Sequence, residues 1–316
     1  MSSKVQVKPM KKKMNLFIDI KRNKGSYLLA LPALIYVFIY GYATLPYMFI
    51  AFQEFNFRTG LFDSQFIGFA NFQVFIQSPR AFQVIFTTLY LNFLFLLFGT
   101  IIAVFFALLI SEAKGTLFKK INQSIFIFPH FLSWIVVAYI VFALFSTDFG
   151  LVNTILERLG MESVRWYSTP EPWTWILVGT RVWRGTGIST VIFLAAITGI
   201  DTSLYEAAYV DGATTFQRII KLTLPLIMPT VMILTLLNIG RFFHGDFGMI
   251  YAIIRDNGVL FPTTDIIDTF VFRLLRRTGN PSQAMAVALF QSVMGFILVF
   301  TTNAITRKKY QEGALY

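Results

Sequence analysis

The chain has 316 residues, 56% of them hydrophobic and only 14% charged, well below the ~25% charged content of an average soluble domain; the surplus apolar surface has to face lipid, which excludes an ordinary soluble protein. It has no cysteine, so disulfides, thiolate chemistry and cysteine-rich metal sites are excluded, and His130 and His244 lie too far apart in sequence for metal-ligand spacing. The net charge of +11 collects at the flanks of apolar runs rather than in a basic patch interleaved with aromatics, which argues against a nucleic-acid partner.

Taken in chain order, residues 1–27 form a basic tail: Lys4, Lys8, Lys11, Lys12, Lys13, Lys21, Arg22 and Lys24 stand against Asp19. The first apolar run, 28–52, exceeds the ~7–15 residues of a signal-peptide core and lacks a small-x-small cleavage site, so it reads as a retained span. Five more runs approach the ~20 apolar residues that cross a bilayer: 82–110, 121–145, 173–200, 226–250 and 282–304. The sequence thus predicts an all-α polytopic membrane protein of six helices, with a single bundle domain over 28–304 and a C-terminal tail over 305–316. Lys114, Lys119 and Lys120 follow the second span, and Arg307, Lys308 and Lys309 follow the sixth. The positive-inside bias therefore places both termini in the cytoplasm. Arg273, Arg276 and Arg277 run against that bias, and pairing with Asp265 and Asp268 offsets them. Glu112 and Lys114 read as a solvated loop pair.

Prolines punctuate the spans. Pro32, Pro46 and Pro129 are expected to bend helices or sit near their starts. Asn280-Pro281 reads as an N-cap with proline in the first helical position. The stretch 263–277 reads as a short amphipathic helix outside the bundle, with Ile266, Ile267, Phe270, Leu274 and Leu275 on one side.

Between spans four and five lies EAAYVDGATTFQRIIKLTLP, residues 206–225. Ser203-Leu204-Tyr205-Glu206 has the capping-box pattern, which starts a helix at Ser203. Gly212-Ala213 removes side-chain bulk, allowing close approach of another surface, and Pro225 marks the turn into span five. Two readings stay open on these residues alone: an interfacial connector, in which Glu206 only caps, or a docking helix for a soluble partner. No G-x-x-x-x-G-K-[ST] loop is present, so an energy source has to be another chain or an ion gradient.

The spacing Glu-Ala-Ala, Gly212, Leu222, Leu224-Pro225 resembles the EAA motif of the membrane subunits of binding-protein-dependent ABC importers, with Leu222 where isoleucine is common. Glu-Ala-Ala-x-x-Asp-Gly-Ala resembles the sugar-importer branch that includes the maltose permeases. YEAAYVDGATTFQRIIKLTLPLIMPT and TTDIIDTFVFRLL look like the LplB-type polysaccharide and oligosaccharide permeases. The resemblance covers nearly the whole chain after the tail. It implies a type I importer (MetI-like) permease fold in the bacterial cytoplasmic membrane. Residues 203–217 would be the coupling helix seated on an ATPase, with Glu206, Ala207, Ala208, Asp211, Gly212, Ala213 and Phe216 at the contact. It also implies a non-catalytic subunit that binds no cofactor. ATP and Mg would sit on two partner ATP-binding subunits, beside a second homologous permease in a heterodimer and an extracellular solute-binding protein that delivers an oligosaccharide.

Charged residues within apolar spans are costly in lipid and should face a cavity or a partner. Arg181 and Arg184 lie in span four, and Arg241 and His244 in the outer half of span five with Asn238 near. On one reading the arginines snorkel outward or pair with Asp246. On the other they form, with Trp183, Phe242 and Phe243, a cationic path for an acidic oligosaccharide such as an alginate or pectin fragment. His130 reads as structural. The rival functions are an ion-gradient-driven secondary transporter, for which Asp246 is the only candidate coupling ligand, an intramembrane enzyme, and a purely structural subunit.

Overall fold

The structure is a computed structural model that describes residues 16–309. The chain divides between Phe49 and Ile50 into two separately compact units. The basic residues Lys4 to Lys13 and the tail beyond Lys309 lie outside the described residues. The first unit holds α1 (Leu16–Arg22) and α2 (Lys24–Val37), followed by a π turn over Phe38–Tyr42. Pro32 sits inside α2. The π turn, in which the Ala43 amide donates to the Phe38 carbonyl at 2.8 Å, widens the backbone just ahead of Pro46. A proline ring otherwise collides with the carbonyl four residues earlier.

The second unit opens with an antiparallel ladder of two-residue strands, β1 (Gln53–Glu54) and β2 (Gln65–Phe66), in register Gln53 to Phe66, with α3 (Gly60–Asp63) between them. Among the described residues it is the small exception to an all-α architecture. The buried amide of Asn71, in α4 (Ala70–Gln77), donates to the carbonyls of Ala51 and Gln53 at 2.9 and 3.0 Å and anchors the ladder. Next comes α5 (Pro79–Glu112), which begins as its sequence dictates: Ser78 accepts from the Arg80 amide and Pro79 takes the first turn.

Span three, expected as one helix over 121–145, is broken. α6 (Thr116–Ile127) passes through a 3-10 turn at Phe128–Phe131 to α7 (Trp134–Phe145), with a bend of 97° between the halves. Pro129 lacks an amide donor, and Ser133 caps a fresh helix by accepting from the Val136 amide. A helix that sequence periodicity did not announce, α8 (Leu151–Arg158), follows. Its buried Asn153 accepts from the Val164 amide and the Trp166 indole, and fully buried Trp173 donates to the Trp166 carbonyl at 2.7 Å.

α9 (Trp173–Thr198) starts at that anchor and packs along α5. Leu91, Val137, Trp173, Leu177 and Met249 form one apolar core; Ala103, Ala107, Phe193, Leu194 and Ile227 form a second further along the same helices. Gly187 lets α9 touch the backbone of α6 at Phe126 and Ile127.

The segment after α9 departs from expectation twice. The helix starts at Thr202 rather than Ser203, because Asp201 is the cap that accepts from the Ser203 amide at 2.9 Å. That bond holds the Asp201 carboxyl below its ordinary value. The stretch 203–217 is two helices, α10 (Thr202–Val210) and α11 (Thr215–Arg218), separated at Gly212. Gly212 has φ +77°, a conformation glycine adopts without steric cost. The true capping box lies at the second helix, where Thr214 and Gln217 exchange bonds of 2.8 and 3.3 Å.

Span five also differs. From α11 the helix runs on through a π turn at Ile219–Thr223 into α12 (Leu224–Ile239). Pro225 therefore continues the helix instead of turning it, with the π turn relieving the clash its ring would cause. α12 stops at Ile239, eleven residues short of the expected end at 250. Residues 240–246 form a non-helical turn, and α13 (Phe247–Ile254) resumes under an Asp246 cap.

The amphipathic stretch 263–277 is likewise split, into α14 (Phe261–Thr264) and α15 (Ile267–Arg277). Ile267, Phe270 and Leu274 face the core as expected, whereas Leu275 is exposed. Arg273 pairs with Asp265 inside the protein; Arg277 pairs with Asp256 at 3.1 Å, and Arg276 donates to the Tyr251 hydroxyl. Asp268 takes no arginine, contrary to expectation. α16 (Pro281–Lys309) begins as read, with Asn280 accepting from the Gln283 amide at 2.9 Å.

Among the described residues, four helices are long and apolar enough to cross a membrane: Lys24–Phe52, Pro79–Glu112, Thr215–Ile239 and Pro281–Ala304. Two bent pairs, Thr116–Phe131 with Trp134–Phe145 and Trp173–Thr198 with Thr202–Val210, raise the number to six if each pair is one crossing.

Candidate functional site: a cationic cavity and an exposed helical elbow

A cavity of about 570 Å³ lies between the middle turns of α5 and α9 and the turn that ends α12. Arg181, Asn238, Arg241, Phe242 and His244, five of the eight residues read as a pathway, line it; Asn92 and Asp246 join them. Arg181 stands 3.8 Å from Asp246, so one cation of the cavity is partly neutralised. Arg241 is exposed and has no ion-pair partner among the described residues. It leaves the cavity with an excess of positive charge.

The other three lie elsewhere. The Arg184 guanidinium covers the Trp134 ring at 4.2 Å, and its Nε donates to the Leu132 carbonyl at 2.9 Å. It thereby ties α9 to the break in span three. Trp183 is half exposed away from the cavity, and Phe243 is buried in the core with Phe75 and Ile267. Residues three apart lie only ~60° apart around a helix, so it is their partners that separate these two arginines: Asp246 faces Arg181, while the Trp134 ring and the Leu132 carbonyl hold Arg184. His130, in the 3-10 turn of that break, has a buried Nδ1 with no hydrogen-bond partner among the described residues.

The turn at 241–246 is the feature the sequence concealed. A run of residues between two apolar stretches reads as one helix, yet the turn's backbone carbonyls are taken by side chains from other elements. Asn92 of α5 donates to the carbonyls of Phe242 and His244 at 2.8 and 3.1 Å. Gln291 of α16 donates to that of Phe243. The only forward sign is the pair of glycines, Gly240 and Gly245, that brackets it.

The second site is the elbow of α10 and α11. Glu206, Ala207, Asp211, Gly212 and Phe216 are exposed, with Ala208 and Ala213 half buried. A Cβ on Gly212 would meet nothing within 4 Å. Tyr209, Val210 and Phe216 are 74%, 85% and 71% exposed, an apolar surface without cover in the isolated chain. The elbow is tied to the bundle at two points. The Tyr205 hydroxyl meets the Thr223 hydroxyl at 2.9 Å in the π turn, and Arg218 pairs with Glu112 at the end of α5 at 3.7 Å. Glu112 is thus a strut to the elbow rather than half of a loop pair with Lys114; Lys119 instead donates to the Ser111 carbonyl at 2.7 Å.

Residues 99–309 match the family model of the binding-protein-dependent transport system inner membrane component. Protein LplB of Bacillus subtilis strain 168 is 36% identical, over 93% of this chain and 92% of its own. The polygalacturonan/rhamnogalacturonan transport system permease protein YteP of the same organism is 32% identical, over 96% of this chain and 94% of its own. A solved bacterial alginate ABC transporter, in complex with an alginate pentasaccharide-bound periplasmic protein, contains a chain that superposes with a TM-score of 0.84. That chain is 31% identical, and the match covers 93% of this chain and 98% of the other.

Proposed function

Because the chain belongs to the family of binding-protein-dependent transport system inner membrane components, we propose that it is the permease subunit of an ATP-driven importer of oligosaccharides from acidic polysaccharides. The observation that carries the reading is the cavity, with Arg181, Arg241 and His244 on its wall halfway along the bundle. Arginine forks match planar carboxylates such as those of uronates. Polygalacturonan, rhamnogalacturonan and alginate are the cargoes named for similar proteins.

On this reading α6 and α7 together make one crossing and α9 makes another, giving six with the four long helices, while α10 bends off α9 at the inner surface and both termini face the cytoplasm with the elbow. A partner ATPase, one of two, grips α10 through Glu206 and the bared apolar residues around it. A second, homologous permease completes the pathway, and an extracellular solute-binding protein delivers cargo to the opposite face. ATP and Mg belong to the ATPases. Closure of the ATPases moves the elbow, and the struts Tyr205–Thr223 and Arg218–Glu112 carry that movement into α12 and α5. The movement favours one of two packed states over the other. A secondary transporter would need a free coupling carboxylate, and Asp246 already faces Arg181.

The test is reconstitution of the chain with its second permease, ATPase and binding protein in proteoliposomes. Glu206→Gln is expected to lower ATP-dependent uptake about tenfold, the loss of one charge-assisted contact, while cap and helix remain intact because Asp201 holds them. Uptake and ATPase assembly equal to wild type would reduce Glu206 to a solvated surface charge.

A further inference from the structure

The cavity's cation-bearing turn, residues 241–246, has no regular secondary structure of its own. Three side chains from three different elements hold it. Asn92 of α5 takes the Phe242 and His244 carbonyls, and Gln291 of α16 takes the Phe243 carbonyl. Asp268 of α15, itself outside the cavity lining, accepts from the Gly245 amide at 2.7 Å and from the Gln291 amide at 3.1 Å with the same oxygen. Gly245 presses so closely on α15 that a Cβ there would overlap Ile266 and approach the Asp268 carboxylate to 3.2 Å. The Asp268 carboxyl thus gathers the turn, the surface helix and the last span at one point. Burial pushes its pKa up, and the two donated bonds and nearby His244 oppose that shift. A partly buried carboxylate with no arginine among the described residues, in a chain that gives arginines to Asp265 and Asp256, is being used for something other than charge balance.

We propose that Asp268 is a positioning residue for cargo: through Gly245 and Gln291 it fixes the turn that presents Arg241 and His244 to the cavity. It acts from α15, outside the cavity lining, so a displacement of that helix is passed to the turn through its carboxylate. This rests on the reading of the cavity as the cargo pathway. Asp268 itself lies outside the cavity lining and touches no cargo there.

The experiment uses the full reconstituted complex and has two readouts. The first is geometric and needs no cargo. The chain has no cysteine, so His244→Cys gives a single thiol whose rate of reaction with a water-soluble maleimide reports the exposure of the turn. The second is the dependence of uptake on oligogalacturonate concentration, measured with His244 in place. Asp268→Ala is expected to change the labelling rate severalfold. It should raise the half-saturating concentration about tenfold, equivalent to the ~1.4 kcal/mol of a lost hydrogen bond to a charged group, with the maximal rate within twofold. Asp268→Asn, which keeps an acceptor for Gly245, is expected to restore most of both. Gln291→Leu, which also removes the donor to the Phe243 carbonyl, is expected to change both readouts in the same direction; if Asp268→Ala does not assemble, Asp268→Ser, too short to reach the Gly245 amide, is read in its place. Unchanged labelling and unchanged half-saturation in the assembled variants overturn the proposal. Altered labelling with unaltered half-saturation upholds the clamp and overturns the cavity as the cargo pathway.

Discussion

Gly187→Val is expected to abolish the folded protein. A Cβ at this position would overlap the Phe126 carbonyl and fall 2.8 Å from the Ile127 amide nitrogen. Both are backbone, so no rotamer change relieves the clash. Phe126 and Ile127 end α6 immediately before the 3-10 turn, where the chain is already committed to a 97° bend. The helices must therefore separate, which opens the contacts around Phe126, Phe193 and Ala103. Close approach at small residues is how helices associate in lipid. Overpacking of this kind against backbone costs about 4 kcal/mol or more, comparable with the stability of a typical domain. Gly179→Ala, two turns earlier on the same helix, meets nothing within 4 Å and is expected to leave stability unchanged or slightly higher. Thermal unfolding in detergent, followed by size-exclusion of the surviving fraction, separates the two. A Gly187→Val protein that melts like wild type would mean that α9 does not touch α6 at this point.

Asp265→Ala is the second large effect. Asp265 and Arg273 are both buried, at 4% and 8% exposure, and the carboxylate also accepts from the Thr269 hydroxyl at 2.7 Å. The Arg273 guanidinium lies over the Phe261 ring at 4.1 Å. Removing the carboxylate leaves a guanidinium in a dry site, an orphan whose cost is about 3–5 kcal/mol. Arg273→Met in the same protein removes the orphan and refills the volume, so the double variant should recover most of the loss. Melting temperatures of the single and double variants in detergent decide this. If the double variant is as unstable as Asp265→Ala, the damage comes from the Thr269 bond and the loop, not from the unpaired charge.

The same residues show where sequence reading ends. Composition and the length of the apolar runs were enough for an all-α membrane protein, because lipid imposes a minimum helix length whatever the sequence details. Asn280-Pro281 named its own helix start, since capping is local chemistry; Ser78-Pro79 carries the same signal, but the span was expected only from 82. The elbow's position was legible in the same way, but its cap was assigned two residues late because Asp201 and Ser203 are both good caps and only geometry chooses between them. The breaks in spans three and five were invisible to hydropathy, which counts apolar atoms and not backbone bonds. What stabilises the turn at 241–246 is Asn92, Asp268 and Gln291, which are 23 to 150 or more residues away. No local window contains them. Trp183, Arg184 and Phe243 were assigned to the pathway by proximity in sequence; helix rotation turns Trp183 aside, Trp134 and the Leu132 carbonyl hold Arg184, and the turn sends Phe243 into the core. The pairing of Arg181 with Asp246 was one of the alternatives the sequence left open, since opposite charges in apolar runs have few partners.

Arg241 carries the cavity's excess charge, so cargo charge is the most direct measurement. In the complex reconstituted with its ATPase and binding protein, stimulated ATP hydrolysis is measured against increasing oligogalacturonate and against a neutral oligosaccharide of equal length. The account predicts stimulation by the acidic cargo alone. It also predicts that Arg241→Gln raises the half-saturating concentration of that cargo about tenfold. Equal stimulation by acidic and neutral cargo, with Arg241→Gln indistinguishable from wild type, would contradict it.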